Sequence, residues 1–342
     1  MKSWKSSVSS VAGTTGIYAA LIGLCLVSAN AADTAPKPPG KLVDLGGHKL
    51  HVYCTGKGSP TVVVENGLGD FSFDWILVQL QVSEFARICT YDRAGYAWSD
   101  PGPMPRTFDQ INLELRDALA KLHEKGPYIL VGHSYGGPVM RNFATVYPKD
   151  TAGLVFVDAA FEGMRVGIGP KQTMRLGQEA KHRDIPPPHE QMQASDKPPA
   201  PPAGAVPPPS PLDAMYKVLP DEQQKQQLWA QDTFVLEFTE ASQREWSDEY
   251  FARQLAKPQA GTLGSIPIIV LTRAEGGYED ADVPATQLEQ ERKEGQAKLA
   301  QLSSNSRQIT LKSGHNMEVE APNDVTDAIR KMVEAVRHGG VL

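Results

Sequence analysis

The strongest constraint on this 342-residue chain is the stretch Tyr128-Ile129-Leu130-Val131-Gly132-His133-Ser134-Tyr135-Gly136-Gly137. Four apolar residues, Tyr128 to Val131, run straight into Gly132, as a parallel strand buried on both faces should. A helix is expected to start near Tyr135. Pro138 then falls in its first turn, where a missing N–H costs no hydrogen bond, and Tyr147-Pro148 closes it. Glycines two residues before and after Ser134 remove Cβ atoms for which so sharp a strand-to-helix bend has no room. The bare G-x-S-x-G pattern is weak in a chain with 30 glycines. Its bland alternative is a glycine-rich helix start that cradles an anion or does no chemistry. What gives it weight is the rest of the chain.

Upstream, Lys2 and Lys5 precede an apolar run from Ile17 to Val27, and Ala29-Asn30-Ala31 has the small-residue form of a cleavage site. That layout predicts a secretory signal peptide over residues 1–31, a linker over 32–40 and an exported protein, periplasmic or secreted. The run is short for a bilayer span, so no stable membrane insertion is expected after cleavage. A retained N-terminal anchor is the competing reading. The formal charge is −6, and losing two lysines makes the remainder more acidic. Such a chain has no electrostatic reason to bind nucleic acid or anionic lipid. With Cys25 removed, Cys54 and Cys89 remain, an even number in an oxidising compartment. A bridge would close a loop of about 35 residues and add roughly 3–4 kcal/mol on the chain-entropy model; two buried free thiols are the alternative.

From Lys41 onward strands and helices alternate. Lys41–Asp44 and His48–Cys54 read as an antiparallel pair joined across Gly46-Gly47. Thr61–Glu65 is a β-branched strand ending in the glycine-rich Asn66-Gly67-Leu68-Gly69-Asp70, a loop able to turn backbone N–H groups toward a developing oxyanion. Ile88–Tyr91 leads into the turn-rich Asp92–Asp100. Asp109–Lys125 carries Ile111, Leu115, Ala118, Leu119 and Leu122 on one helical face, with Thr107 and Gln110 at capping-box spacing. Further strands are Gly153–Asp158, Ile266–Thr272 and Arg307–Leu311, the last followed by Ser313-Gly314-His315-Asn316, and Val325–Val336 gives a closing helix. The pattern predicts an α/β fold with a mostly parallel, doubly wound sheet and ligands at the strands' C-terminal edge.

Taken together, Glu65–Gly69, Tyr91–Tyr96, Gly132–Gly137, Gly153–Asp158 and Ser313–His315 resemble the α/β-hydrolase superfamily in order and context, over most of residues 41–338. The oxyanion loop departs from the frequent His-Gly start with Asn66-Gly67, but the donor there is backbone. The resemblance implies Ser134 as nucleophile, His315 as general base, and backbone N–H groups of Leu68 and Tyr135 as the oxyanion hole. It also sets the Cys54 and Cys89 strands side by side, which favours the bridge. For the acid, the usual place after Thr272 holds Arg273-Ala274-Glu275. Asp158, at the end of the strand after the elbow helix, is favoured, with Glu275, Asp280 and Asp282 as alternatives. His133 is expected to pack under the elbow, away from the serine.

Residues 161–263 separate two core strands and are expected to form an inserted lid with a proline-rich middle, Ile185–Pro211, and a helical piece, Pro220–Thr239, with Leu228, Phe234, Val235 and Phe238 on one face. Thr286–Leu302 reads as a plain amphipathic surface helix. The expected function is an exported serine hydrolase acting on a small-molecule carboxylic ester or related acyl substrate, with no metal or organic cofactor required. A lactonase, peptidase or perhydrolase of the same fold, or a binding protein that keeps the fold, are the alternatives. Substrate identity and oligomeric state are not encoded in any motif.

Overall fold

A computed structural model describes residues 35–104, 106–169, 172–175, 211–230, 261–274 and 284–342. The expected signal peptide, residues 185–210 of the proline-rich stretch and the acid candidates Glu275, Asp280 and Asp282 lie outside them. Eight strands form one sheet: β1 (Lys41–Asp44), β2 (Lys49–Thr55), β3 (Thr61–Glu65), β4 (Arg87–Tyr91), β5 (Tyr128–His133), β6 (Thr151–Val157), β9 (Ile268–Arg273) and β10 (Ser306–Leu311). Between β6 and β9 a separate antiparallel hairpin, β7 (Arg165–Gly169) with β8 (Gln172–Arg175), belongs to the insertion. The sheet order is β1-β2-β4-β3-β5-β6-β9-β10. Strand β2 runs antiparallel to both β1 and β4, and the remaining pairs are parallel. The helices are α1 (Ile76–Val82), α2 (Phe108–Lys121), α3 (Gly136–Val146), α4 (221–230), α5 (Ala285–Ala300), α6 (Met317–Glu320) and α7 (Pro322–Arg337). None of the described helices is long and apolar enough to cross a membrane.

The two-residue period of the central strands builds two separate cores. Leu130, Leu154, Phe156, Ile268 and Val270 face one side, with Leu115 and Leu119 of α2 and Met140 and Phe143 of α3. Their sequence neighbours Ile129, Val131, Val155, Val157, Ile269 and Leu271 face the other, with Val78 of α1 and Ile329 and Met332 of α7. Helices therefore cover both faces, as near-continuous apolar strands require. Thr107 caps α2 as expected, its hydroxyl oxygen accepting from the Gln110 N–H at 3.1 Å. The helix stops at Lys121, four residues short of the expected end at Lys125, because His123 turns the chain with φ +62°.

Cys54 and Cys89 stand opposite each other in the β2–β4 pairing and form a disulfide. It ties the antiparallel edge to the parallel core across 35 residues of sequence. Replacing both cysteines with alanine should lower unfolding free energy by about 2–4 kcal/mol, as read from urea denaturation. Unchanged stability, or two thiols titrating before reduction, would contradict the bridge.

The described part of the insertion docks through aromatic and polar contacts. Trp229 of α4 stacks on Trp98 with ring centres 5.2 Å apart, and Gln227 donates to Asp74 in the interior. Leu228 is only half-buried, while Phe234, Val235 and Phe238 lie outside the described residues. Helix α5 departs from the plain amphipathic surface helix expected. It buries Arg292 and Gln296, which donate to Thr272 Oγ1 at 2.7 Å and to the Ala159 carbonyl at 2.7 Å. Polar groups fill that face because they fasten the ends of β9 and β6, a task an apolar pattern does not announce.

Candidate active site

Ser134 sits at the apex between β5 and α3 with φ +48°, a conformation disfavoured for a residue with a Cβ. Its neighbours hold it there. The Ser134 N–H donates to Val157 O at 3.1 Å, and its carbonyl accepts from Gly137 N at 3.0 Å and Ala160 N at 2.8 Å. A Cβ on Gly132 would lie 2.5 Å from Gly136 O, and one on Gly136 would lie 2.4 Å from Glu65 O. The flanking glycines are thus required by the approach of backbone to backbone, which is the reason read from sequence.

Asp158 follows β6 and His315 follows β10, so both come to the same C-terminal edge as Ser134. Asp158 is buried, with φ +38°. Its Oδ2 is 2.6 Å from His315 Nδ1 and 3.0 Å from Arg273 Nη1. Burial pushes the Asp158 carboxyl up, but the hydrogen bond from His315 and the charges of His315, Arg273 and Arg292 outweigh it and hold the group below its ordinary range. An ionised carboxylate can only accept. Nδ1 of His315 therefore carries the proton, and the lone pair lies on Nε2. For His315 the balance runs downward: burial and the nearby His133 and Arg273 charges exceed what Asp158 adds. Of the acid candidates, the structure brings Asp158 to the histidine.

Leu68, in the loop after β3, packs against Tyr135, Phe108, Ile111 and Val139, so the two expected oxyanion donors belong to adjoining residues. The loop is held from behind by a residue that sequence reading placed in a motif but gave no task. Arg93, 1 % exposed, donates to Glu65 Oε1, Asn66 O and Gly67 O, each at 2.8 Å. Tyr91 donates to the other Glu65 oxygen, and burial beside Glu65 raises its hydroxyl well above the usual range. The Asn66 and Gly67 carbonyls are thus both turned back onto a guanidinium.

His133 is buried beneath the elbow, as expected, yet it is not inert. Its Nδ1 is 2.7 Å from Asp70 Oδ2 and its Nε2 is 3.0 Å from the His315 carbonyl oxygen. Despite burial, Glu318 and Asp70 raise its pKa to about 10. Asp70, His133 and Glu318 present one ligand-type atom each within 4.8 Å of one another, but the Nδ1–Oδ2 distance is that of a hydrogen bond, so the nitrogen is taken. Cys54, Cys89 and Glu124 are also close, with both sulfurs used in the disulfide. His51 has a network too. It meets Asp92 Oδ2 at 2.7 Å, and Ser72 donates to the same oxygen at 3.2 Å. This second Ser, His and Asp group cannot act as a base, because the outer nitrogen of His51 is closed by the Pro39 carbonyl. Buried charges such as Arg93, Asp70 and Glu318 leave no periodic trace in sequence.

Comparison with known proteins follows the same outline. The sequence profile of the alpha/beta hydrolase family matches residues 62–328. The chain is 39% identical over 129 residues to the "Probable transporter efuK" of Hormonema carpetanum, a match covering 35% of this chain and 18% of that one. The chain spans less than half the length of the curated relatives it matches. Among solved structures, a putative lipase from Acinetobacter baumannii AYE is 16% identical with a TM-score of 0.57, covering 87% of this chain and 91% of the other. The enol-lactonase from Burkholderia xenovorans LB400 is 19% identical with a TM-score of 0.56, covering 85% and 98%. At such identities these likenesses speak for the fold. The family match extends from β3, the first strand of the parallel core in the chain, to the closing helix, and by it this chain belongs to the alpha/beta hydrolase family.

Proposed function

We propose that this hydrolase cleaves a carboxylic ester or related acyl bond through an acyl-enzyme on Ser134. The observation that carries the reading is the 2.6 Å contact between Asp158 and His315 Nδ1 at the same sheet edge as the strained serine. In this mechanism Ser134 Oγ attacks the substrate carbonyl carbon while His315 Nε2 takes the hydroxyl proton. The backbone N–H groups of Leu68 and Tyr135 receive the oxyanion, where one well-placed donor contributes about 3–4 kcal/mol. Collapse of the tetrahedral adduct breaks the bond to the leaving alcohol, which takes the proton from His315. Water then attacks the acyl-serine with His315 as base, releasing the acid and restoring Ser134. Asp158 keeps the imidazole in the tautomer that makes this possible.

The insertion between β6 and β9 is read as a lid over the mouth, its apolar side chains lining the acyl pocket. Export is read from the N-terminal segment, and a disulfide between β2 and β4 agrees with an oxidising compartment. Treating the mature protein with a serine-reactive phosphonate should label Ser134 and leave Ser134→Ala unlabelled. A panel of p-nitrophenyl esters of graded length then reports the acyl preference. Absent labelling of the native protein, or equal labelling of both, would reject the acyl-enzyme in favour of a binding role.

A further inference from the structure

The group the mechanism above does not use is the buried cluster under the elbow. We propose that His133 is a positioning residue that stays positively charged, clamping the loop of the base to the nucleophile elbow and keeping His315 neutral. The inference rests on the reading of Ser134 and His315 as nucleophile and base.

The charge follows from the partners. Nε2 of His133 lies 3.0 Å from the His315 carbonyl oxygen, and a carbonyl can only accept, so Nε2 carries a hydrogen. Nδ1 lies 2.7 Å from Asp70 Oδ2. Burial pushes Asp70 up, but the His133 hydrogen bond and the charges of His133, His315 and Arg93 hold it below its ordinary range. Its carboxylate therefore accepts, and Nδ1 carries a hydrogen too. Both nitrogens protonated is an imidazolium. Glu318 Oε2 stands 3.8 Å from Nδ1 on the far side, and both Glu318 oxygens are buried without a hydrogen-bond partner.

Among the described residues, the other groups facing the cluster are acids and a tyrosine, with Arg93 a further cation acting on Asp70. Burial and the Asp70 charge drive Asp74, on the turn after Asp70, upward, and it accepts from Gln227. Glu318 is pushed up to about 7 by burial, with His133 pulling it down and Asp70 up. Tyr216 of the insertion is held neutral by burial and by Asp74, Asp70 and Glu318. Glu320 adds to the negative surroundings of Glu318. Gly67 makes the arrangement possible: a Cβ there would lie 2.2 Å from Asp70 Oδ2 and 2.8 Å from His133 Nδ1.

Two consequences follow for the base. His133 directly precedes Ser134, so its hydrogen bond to the His315 main chain links nucleophile and base through one side chain. Its ring centre is 4.7 Å from that of His315, a distance at which a like charge disfavours protonation. Burial lowers the His315 pKa and the His133 charge adds to that, so the acidic limb of the reaction moves to lower pH.

Histidine side-chain NMR on the 15N-labelled protein, titrated from pH 5 to 9, tests this without depending on turnover. In the parent protein His133 should keep both ring N–H protons through pH 8, and His315 should titrate below 6.5. His133→Gln retains a donor that can reach the His315 carbonyl but carries no charge. It should raise the His315 midpoint by about half a unit or more and shift the acidic limb of phosphonate labelling with it. His133→Leu loses the clamp as well, and its labelling rate at pH 9 should fall about tenfold or further. If His133→Gln does not fold, Asp70→Asn removes the anion that holds the second proton, and His133 should then become neutral at lower pH. Loss of a ring proton from parent His133 below pH 7 would overturn the proposal. So would an unmoved His315 midpoint in the Gln variant, or a stoichiometric metal found by elemental analysis and lost with His133. Failure of the parent to label at all would instead reject the acyl-enzyme reading, with the histidine titrations still deciding the charge on His133.

Discussion

Asp158→Asn should lower turnover by about 10⁴-fold, while Glu275→Gln changes it by less than about threefold. The asymmetry has a simple origin. The Asp158 carboxylate accepts from His315 Nδ1 at 2.6 Å, which forces the proton onto that nitrogen and leaves the other able to take one from Ser134. An asparagine in the same place can turn its amide N–H toward Nδ1, and the histidine then presents the wrong tautomer with little change in shape. The charge matters as well. In the proposed mechanism an imidazolium forms on His315 as the serine attacks, beside His133 and Arg273, and Asp158 is the anion bonded directly to that ring. Its carboxyl is held low by His315 and by Arg273 at 3.0 Å, so the wild-type anion persists across the working pH range. The check is kcat and the phosphonate labelling rate on both variants, with KM measured alongside. Losses that are mild and equal in the two would remove Asp158 from the role of acid.

Parts of this site were legible in the sequence because geometry imposes them locally. The elbow needs glycine two places before and after Ser134, and the clashes a Cβ would make there are with backbone. Strand ends were legible for the same kind of reason: apolar runs stop where Glu65, Asp158 and His315 begin their loops. The acid was harder to place, since a carboxylate after a strand serves equally well as a cap, and nothing local separates Asp158 from Glu275. The supporting charges were not legible at all. Arg93, His133 and Glu318 contact partners 26, 63 and 185 positions away or held by other elements, and a one-dimensional pattern has no term for that. Arg292 and Gln296 were hidden in the same way inside a helix whose composition looks like solvent-facing surface. The hairpin of β7 and β8 escaped because Arg165–Arg175 alternates too little to read as strand.

Arg93→Met should destabilise the fold by about 3–5 kcal/mol, because it takes the guanidinium away from the Glu65 carboxylate in the interior. It should also lower kcat by about 10²-fold, the effect of misplacing an oxyanion donor. These two losses come from different bonds and can be separated. Glu65 is 0 % exposed and pairs with Arg93 Nη1 at 2.8 Å, so its charge is what the fold must bear when the arginine is gone. The carbonyls of Asn66 and Gly67 are held by the same guanidinium at 2.8 Å each, and their release lets the loop rotate its N–H groups away from the mouth. Adding Glu65→Gln to Arg93→Met removes that charge but restores neither carbonyl contact. Most of the stability should return in urea denaturation while kcat stays low, a non-additive pattern expected of residues in direct contact. Arg93→Lys should be a poor substitute, since an ammonium cannot span three acceptors arranged for a planar fork. If activity recovered together with stability in the double variant, the guanidinium would be a structural counter-ion only, and the orientation of the Leu68 donor would have to be set by the glycines of the loop themselves.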